Sequence, residues 1–421
     1  MRKPAEIERL YLDFDCFFAA VAQQVTPALR GRPVGIVPFA GTDRTCIIAC
    51  SREAKLQGVK NVMSVQEALA LCRDLILVPQ VPDLYRRAHN ALISEINAVL
   101  PVDAIKSIDE ITCRVAPIDR ADPLALGRRI KQRIAKEVSS IITCSIGFGA
   151  NRQLAKMACK AGKRGGDGYG DGNLAWHPPD MPAPLLALEL EDIPGIGARM
   201  KERLAERGIA SMRQLLATQP KHMRKLWGNV TGERLWYALH GYDVQAPRAQ
   251  RGMYGHGRVL PPDHRSLDEA HQASRLLLVK AARRMRRDGY RAGALWLWLS
   301  IRDSGWSGGR GLAEIWDDHA ALMALEELWR EARQDLPPRT RVIQIGVTLG
   351  NLTSARVRQL DFFADDDRTR RRWEAITESI DALNRKHGRT LVSLGPWMPP
   401  PGGYAGGKIS YTRIPRIEDF W

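Results

Sequence analysis

Residues 8–16 read ERLYLDFDC. Leu10 and Leu12 alternate with Tyr11 and Asp13, the period of a strand with one apolar face, and the run ends in acids. Phe17 to Gln24 then follow a helical pattern. A strand that delivers Asp13 to its end, directly before a helix, places a carboxylate at the rim of a sheet.

The next 150 residues mix strand and helix signals. PVGIVPF and TCIIAC, within residues 31–50, are β-rich, and SREAKLQG is a helical turn stopped by Gly58. Residues 84–99 have apolar positions at helical spacing. AIKSIDEITCRV contains two short β-like runs that meet at Asp109 and Glu110. A helix is expected over 123–138, a strand over SIITCSIGFG, and a helix over 151–162 closed by GKRGGDGYGDG. This predicts an α/β or α+β core over residues 1–165. Residues 183–240 read as all-helical around IPGIG at 193–197. DVQAPRAQRGMYG (243–255) reads as a basic linker. Residues 266–291 read as a strongly basic helix, and LWLWLSIR and RVIQIGVTL as strands of a second, smaller α+β domain. The last 60 residues hold a helix near 369–385 and a Pro/Gly-rich stretch.

Composition narrows the function. The 421 residues are 44% hydrophobic, enough for several cores, and carry a net charge of +16 with a pI near 9.8. Such a balance favours an anionic partner such as nucleic acid. No apolar run reaches the roughly 18–20 residues of a membrane span, and the N-terminus lacks a secretory apolar region. The seven cysteines lie before residue 160, with no CxxC spacing. That excludes a zinc motif of that kind and a disulfide framework, and points to reduced, mostly buried thiols in a cytoplasmic protein.

Carboxylates on strand ends suit chemistry that needs divalent cations fixed before substrate arrives. Asp13, Asp109 and Glu110 can converge only if their strands are neighbours. By pattern alone, a DE pair is more often a solvated turn than a metal site.

The motifs carry a resemblance. LYLDFDCFFAAV resembles the first motif of Y-family DNA polymerases (the UmuC/DinB type), SIDE (107–110) the second, and GFGANRQLAKMACKAGKRGG the third, in the right order. IPGIG resembles the helix–hairpin–helix loop of the family's thumb. The similarity spans residues 8 to about 355 and, more weakly, the tail. It implies an α+β right-hand polymerase: palm at 1–30 and 80–168, fingers at 31–79, helical thumb at 169–242, and little finger at 243–355. A clamp-binding peptide and C-terminal extension fill 356–421. The implied activity is low-fidelity translesion synthesis from dNTPs on primer–template DNA by a monomer. It implies two Mg²⁺ ions held by Asp13, Asp109, Glu110 and the Phe14 backbone carbonyl. Phe17 and Phe18 would lie at the nucleotide, with Phe18 as the steric gate against ribose. Lys156 and Lys163 would serve the catalytic acids and the triphosphate.

The chain also departs from the family. Where the family has Tyr-x-x-Arg on the finger helix, this chain has Arg52 and Lys55, which keeps positive charge but loses a hydroxyl and bidentate phosphate geometry. Ala22 replaces a usual Glu. Gly195 and Gly197 would let backbone N–H groups approach DNA phosphates, and Arg283, Arg284 and Arg287 would track the duplex. RQLDFF (358–363) resembles the peptide that docks on the bacterial sliding clamp, with Gln359, Leu360, Phe362 and Phe363 as anchors. A catalytically weak DNA- and clamp-binding accessory protein is the alternative. A nucleotide cyclase could share the sheet and metals, but it would need neither thumb nor clamp peptide.

Overall fold

The computed structural model describes residues 1–163, 171–245, 251–356, 367–396 and 414–420. The chain divides into two compact units. One comprises Met1–Pro38, Thr45–Pro247 and Ile409–Ile414, and the other Phe39–Arg44, Arg248–Lys408 and Pro415–Trp421.

In the first unit the elements run β1 (Arg9–Phe14), α1 (Phe17–Val25), β2 (Val34–Val37), β3 (Ala49–Cys50), α2 (Arg52–Leu56), α3 (Val65–Leu71), β4 (Ile76–Pro79) and α4 (Pro82–Asn97). They continue with β5 (Val102–Ile105), β6 (Glu110–Arg114), α5 (Pro123–Glu137), β7 (Cys144–Gly149), α6 (Arg152–Gly162) and β8 (Asn173–Ala175). Five helices close the unit: α7 (Ala183–Leu186), α8 (Ala198–Ala205), α9 (Met212–Leu216), α10 (Pro220–Trp227) and α11 (Val230–Leu239). The strand expected over SIITCSIGFG is confined to its second half, because Ser139 bends the first half by accepting the N–H groups of Ile141 and Ile142. All seven cysteines are free thiols, five of them buried, and no helix among the described residues is long and apolar enough to cross a membrane.

The five-stranded sheet has the order β5-β6-β1-β7-β8, so β1 is central. Its alternation separates two faces. Leu10, Leu12 and Phe14 point into the core with Ile111, Cys113, Ile146 and Phe148, beneath residues of α4 and α5 such as Leu92, Ile96, Ile130 and Ile134. Tyr11 and Asp13 point the other way, where Tyr11 packs with Ala155 and Cys159 of α6. Helix α6 lies unusually close to that face because β7 carries glycine there. A Cβ on Gly147 would stand 2.0 Å from the Cys159 backbone nitrogen, and one on Gly149 2.9 Å from that of Ala155. Asn151 caps α6 through the Leu154 N–H, and its amide donates to the carbonyls of Ala238 and Tyr242, tying the helix start to the end of α11.

The second unit contains β9 (Met253–Val259), α12 (Leu267–Arg287), β10 (Tyr290–Ile301), β11 (Ser304–Ile315), α13 (Asp318–Asp335), β12 (Gln344–Ser354) and α14 (Asp367–His387). The sheet order is β11-β10-β12-β9, all antiparallel, and α12 and α13 cover one face with a core around Leu278, Leu325 and Trp329. The segment read as a linker to residue 255 therefore turns into strand at Met253.

The basic character of α12 also needs correcting. Arg283, Arg284 and Arg287 were expected to face DNA, yet each is taken up inside the domain. Arg283 pairs with Asp381 at 3.3 Å. Arg284, 3% exposed, donates to the Gly255 carbonyl. Arg287 reaches Glu418 and Asp419 at 3.0 and 3.2 Å. The physical reason is burial: a guanidinium between layers must find carboxylates or carbonyls there. Arg286 completes the pattern, bridging Asp318 at 2.7 Å and Asp381 at 2.8 Å. These bonds hold α14 onto the α12–α13 layer, helped by Arg291–Glu374 at 2.7 Å and by His319 stacked on Trp373 at 4.0 Å.

Two outcomes are expected. Gly147→Ala forces α6 off the sheet and destabilises the protein by about 1–3 kcal/mol, the usual size of an overpacking penalty, measured by urea unfolding. Asp381→Ala leaves two buried guanidinium groups short of a partner and costs about 3–5 kcal/mol; a shift in the urea midpoint of the second unit's transition reports it.

Candidate active site

Backbone register builds the acidic centre. In the antiparallel β1–β6 pair, Asp13 lies directly opposite Glu110. Two carboxylates so placed repel one another and destabilise the sheet. Asp109 sits in the turn just before β6, where its carbonyl accepts the Phe14 N–H at 2.8 Å. The turn is tight: the N–H groups of Lys106 and Ser107 both donate to the Glu110 carbonyl, and Ser107 Oγ donates to the Asp109 carboxylate. His89 of α4 steadies it from below, with Nδ1 donating to the Ile108 carbonyl at 2.7 Å. Burial lowers the His89 pKa, so that ring is a neutral donor.

Helix α6 supplies the opposing charge. Lys163 Nζ lies 2.5 Å from Asp13 and 3.3 Å from Asp15. Lys156 Nζ lies 2.8 Å from Glu110 Oε1 and 2.9 Å from the Tyr11 hydroxyl. Asp15 is further held by Thr143 and Ser145, whose hydroxyls donate at 2.9 Å. The Asp13 carboxyl is pushed up to about 6: burial raises it most, Lys163 offsets part of that rise, and Asp109 and Glu110 add to it. Burial opposes the charge on Lys163, but Asp13 and Asp15 outweigh it and hold its pKa above the ordinary lysine value. Tyr11 is likewise held protonated, by burial and then by Glu110.

Hard carboxylate oxygens are the donors a divalent cation such as Mg²⁺ selects. Asp13 and Glu110 here each face an ammonium, which stands where positive charge is required. Among the described residues, no three His, Cys, Asp or Glu side chains are already gathered into a metal shell. The donor set fits a divalent ion chemically, once the carboxylates turn from the lysines.

A cleft of about 440 Å³ opens over this centre, lined by Asp13, Asp109 and Lys163 on one side and by Phe18, Lys55 and Asn61 on others. Phe18 stands at its edge, stacked on Tyr85 at 4.2 Å and 15°. Tyr85 is 1% exposed, so the Phe18 ring has a fixed backing. Phe17 also lines the cleft but is mainly core, against Phe14 and Tyr85. Between Asp15 and α1, Cys16 adopts a left-handed φ of 49°, a conformation that non-glycine residues hold at a cost of order 1–3 kcal/mol and that clusters at functional sites. Arg52 is exposed at the start of α2 and is not among the residues lining the cleft. Ala22 is buried in α1. In the IPGIG loop, Ile193 and Ile196 are buried anchors. Gly195 has a φ of 99°, and among the described residues no atom comes within 4 Å of where its Cβ, or that of Gly197, would lie. Residues Gln359, Leu360, Phe362 and Phe363 lie outside the described residues.

Tyr11, Asp15, Tyr85, His89 and Asn61 were not singled out from the sequence. Asp15 had a local signal, as the second acid of DFD. Tyr11 and Tyr85 act through partners far along the chain.

The profile of the impB/mucB/samB family matches residues 12–160, that of its C-terminal domain residues 251–362, and that of the DNA polymerase-iota thumb domain residues 191–243. DNA polymerase IV of Moorella thermoacetica is 31% identical over 410 residues, covering 95% of this chain and 98% of that protein. DNA polymerase IV of Pelotomaculum thermopropionicum is 30% identical over 397 residues, covering 92% and 95%. Among solved structures, a Y-family DNA polymerase chimera aligns with a TM-score of 0.69 at 23% identity, over 82% of this chain and 99% of that one. DinB from Sulfolobus solfataricus aligns with a TM-score of 0.52 at 24% identity, over 82% and 99%. At those identities the structures speak for the fold, an α+β right-hand polymerase. The chain therefore belongs to the impB/mucB/samB family, the Y-family DNA polymerases.

One consequence is measurable without any cation. Carbon-detected NMR of the metal-free protein should find Asp13 titrating near 6, and Lys163→Met should move it higher, since a charge that favours ionisation is gone. Folding favours protonated Asp13, so its contribution to stability is full below about pH 4 and is lost as pH rises through 6. A titration at the ordinary carboxylate value would contradict the burial seen here.

Proposed function

We propose that this chain is a template-directed DNA polymerase that performs low-fidelity translesion synthesis, joining dNTPs to a primer 3′-OH. The observation that carries the reading is the pairing of Asp13 and Glu110 across β1 and β6, with Asp109 beside them, in the cleft that also holds Phe18 and Lys163. Two apposed acids on adjacent strands cost stability, and a cation-dependent reaction is a reason to keep them.

Asp13, Asp109 and Glu110, with the Phe14 carbonyl, are the residues that would hold two Mg²⁺ ions. When bound, such ions activate the attacking 3′-oxygen and offset charge on the triphosphate. The chain's own groups do the rest. Lys163 and Lys156 are compact positive charges for phosphate oxygens, and Lys55 adds a third at the cleft. Phe18, backed by Tyr85, sets a flat wall against which deoxyribose fits and a 2′-hydroxyl clashes. Tyr11 keeps its proton and serves as a hydrogen-bonding partner for Lys156. Gly195 and Gly197 offer unobstructed backbone to DNA phosphates, and the helix start at Ala198 adds its dipole. Gln359, Leu360, Phe362 and Phe363 are proposed to dock on the sliding clamp, and the enzyme is proposed to act in the cytoplasm as a monomer.

Primer extension on a primed template with dNTPs and Mg²⁺ tests the reading. The wild type should extend. Asp109→Ala combined with Glu110→Ala should lose about three orders of magnitude or more in rate, the scale of several kcal/mol of transition-state stabilisation. Equal extension by both proteins, or none by the wild type with the clamp present, would overturn it.

A further inference from the structure

We propose that Asp15 is a positioning residue for Lys163: it keeps the ammonium at the cleft when Asp13 turns to hold a cation, so that this charge is in place for the triphosphate. The role rests on the polymerase reading and adds to it a residue that does not line the cleft.

Asp13 and Asp15 share one lysine but stand in different surroundings. They are two residues apart along β1 and its extension, so both point to the α6 face. The Asp15 N–H donates to the Thr143 carbonyl at 2.9 Å, which carries the β1–β7 pairing one rung beyond Phe14. Lys163 Nζ lies 2.5 Å from Asp13 Oδ1 and 3.3 Å from Asp15 Oδ1. Asp13 and Lys163 line the cleft and Asp15 does not; its side chain is 11% exposed, against 25% for Asp13.

Asp15 is held from behind. Ser145 Oγ donates to its Oδ1 and Thr143 Oγ1 to its Oδ2, both at 2.9 Å, so each oxygen is fixed by a hydroxyl. The Ser145 hydroxyl is itself confined: Gly172, with a φ of 64°, brings the chain so close that a Cβ there would stand 2.9 Å from Ser145 Oγ.

These differences divide the work between the two acids. Asp13 has to leave Lys163 to hold a cation, and Lys163 then loses its nearer partner. A lysine stem left to itself spreads over many rotamers. Asp15 is a second partner already in place, and an ammonium has three N–H donors, enough for Asp15 and a phosphate oxygen together. An acid beside a phosphate-binding lysine also competes with the phosphate. Keeping one there, anchored by two hydroxyls, makes sense where placing the charge counts for more than its full strength.

The test is binding of the matching dNTP, followed by calorimetry, to the full chain on a primer–template whose primer ends in a dideoxynucleotide, with Mg²⁺ present. No bond can form, so affinity is read apart from chemistry. Asp15→Asn should weaken dNTP binding about 10- to 100-fold, the scale on which loss of an orienting residue is felt. On an extendable primer the KM for dNTP should rise by a similar factor, and kcat should fall less. A cycle with Lys163→Met separates placement from general damage: the double variant should bind dNTP no worse than Lys163→Met alone. Ser145→Ala, which keeps the Asp15 charge and removes one anchor, should lose a smaller factor in the same direction. Losses that multiply in the double variant, unchanged or tighter binding by Asp15→Asn, or a fall in kcat alone would overturn the proposal. If Asp15→Asn lowers the urea midpoint, Ser145→Ala and its own cycle with Lys163→Met decide instead. A wild type that takes up no dNTP overturns the polymerase reading and this role with it, whereas wild-type binding that Asp15→Asn leaves intact overturns this role alone.

Discussion

The structure turns on a repulsion that is held in place. Asp13 and Glu110 face each other across neighbouring strands, and desolvation at the floor of the cleft raises the Asp13 carboxyl above the ordinary carboxylate range. What makes the pair tolerable is α6, which brings Lys156 and Lys163 onto the same face at hydrogen-bond distance. Nothing larger than glycine at positions 147 and 149 would let that helix come close enough. The chemistry of the centre thus depends on two missing side chains in β7 as much as on the charged ones around it.

The cleft shows the same economy at the edge where Phe18 stands. Phe18 could swing as a lone aromatic at the start of a helix, but Tyr85 lies parallel behind it and is itself buried. Asn151 plays a related part for α6, capping the helix and gripping the end of α11 with one side chain. In each case one residue holds another, or a whole helix, in a fixed orientation beside the cleft.

Much of the acidic centre was legible because its signals are local. Asp13 closes an alternating strand, Asp109 and Glu110 sit at the meeting of two short runs, and both patterns survive in β1, β5 and β6. The partners were less legible for a reason of distance. Tyr11 and Lys156 are 145 residues apart, and Arg286 meets Asp381 across 95; no periodicity joins such pairs. The arginines of α12 look like a solvated stripe until the acids of α14 are seen to cover them. Strand β11 escaped because SGWSGGRG has the composition of a loop. It is a strand whose outward positions are kept empty for the rings of β10. Helix α3 and strand β4 gave weaker patterns than their neighbours, although α3 carries a full capping box at Ser64 and Glu67.

The docking of α14 bears on where this protein can be divided. Residues 356–421 look like an appendage when aligned by motif, and the second unit's sheet and two helices look complete by residue 355. Yet Asp381 serves Arg283 and Arg286, Glu374 serves Arg291, and Glu418 and Asp419 serve Arg287. Cutting the chain at 355, or grafting 251–355 onto another polymerase, would move a set of cations without their anions. The C-terminal segment and the helix beneath it form a single electrostatic module, and any transplant of this part of the chain has to carry both halves.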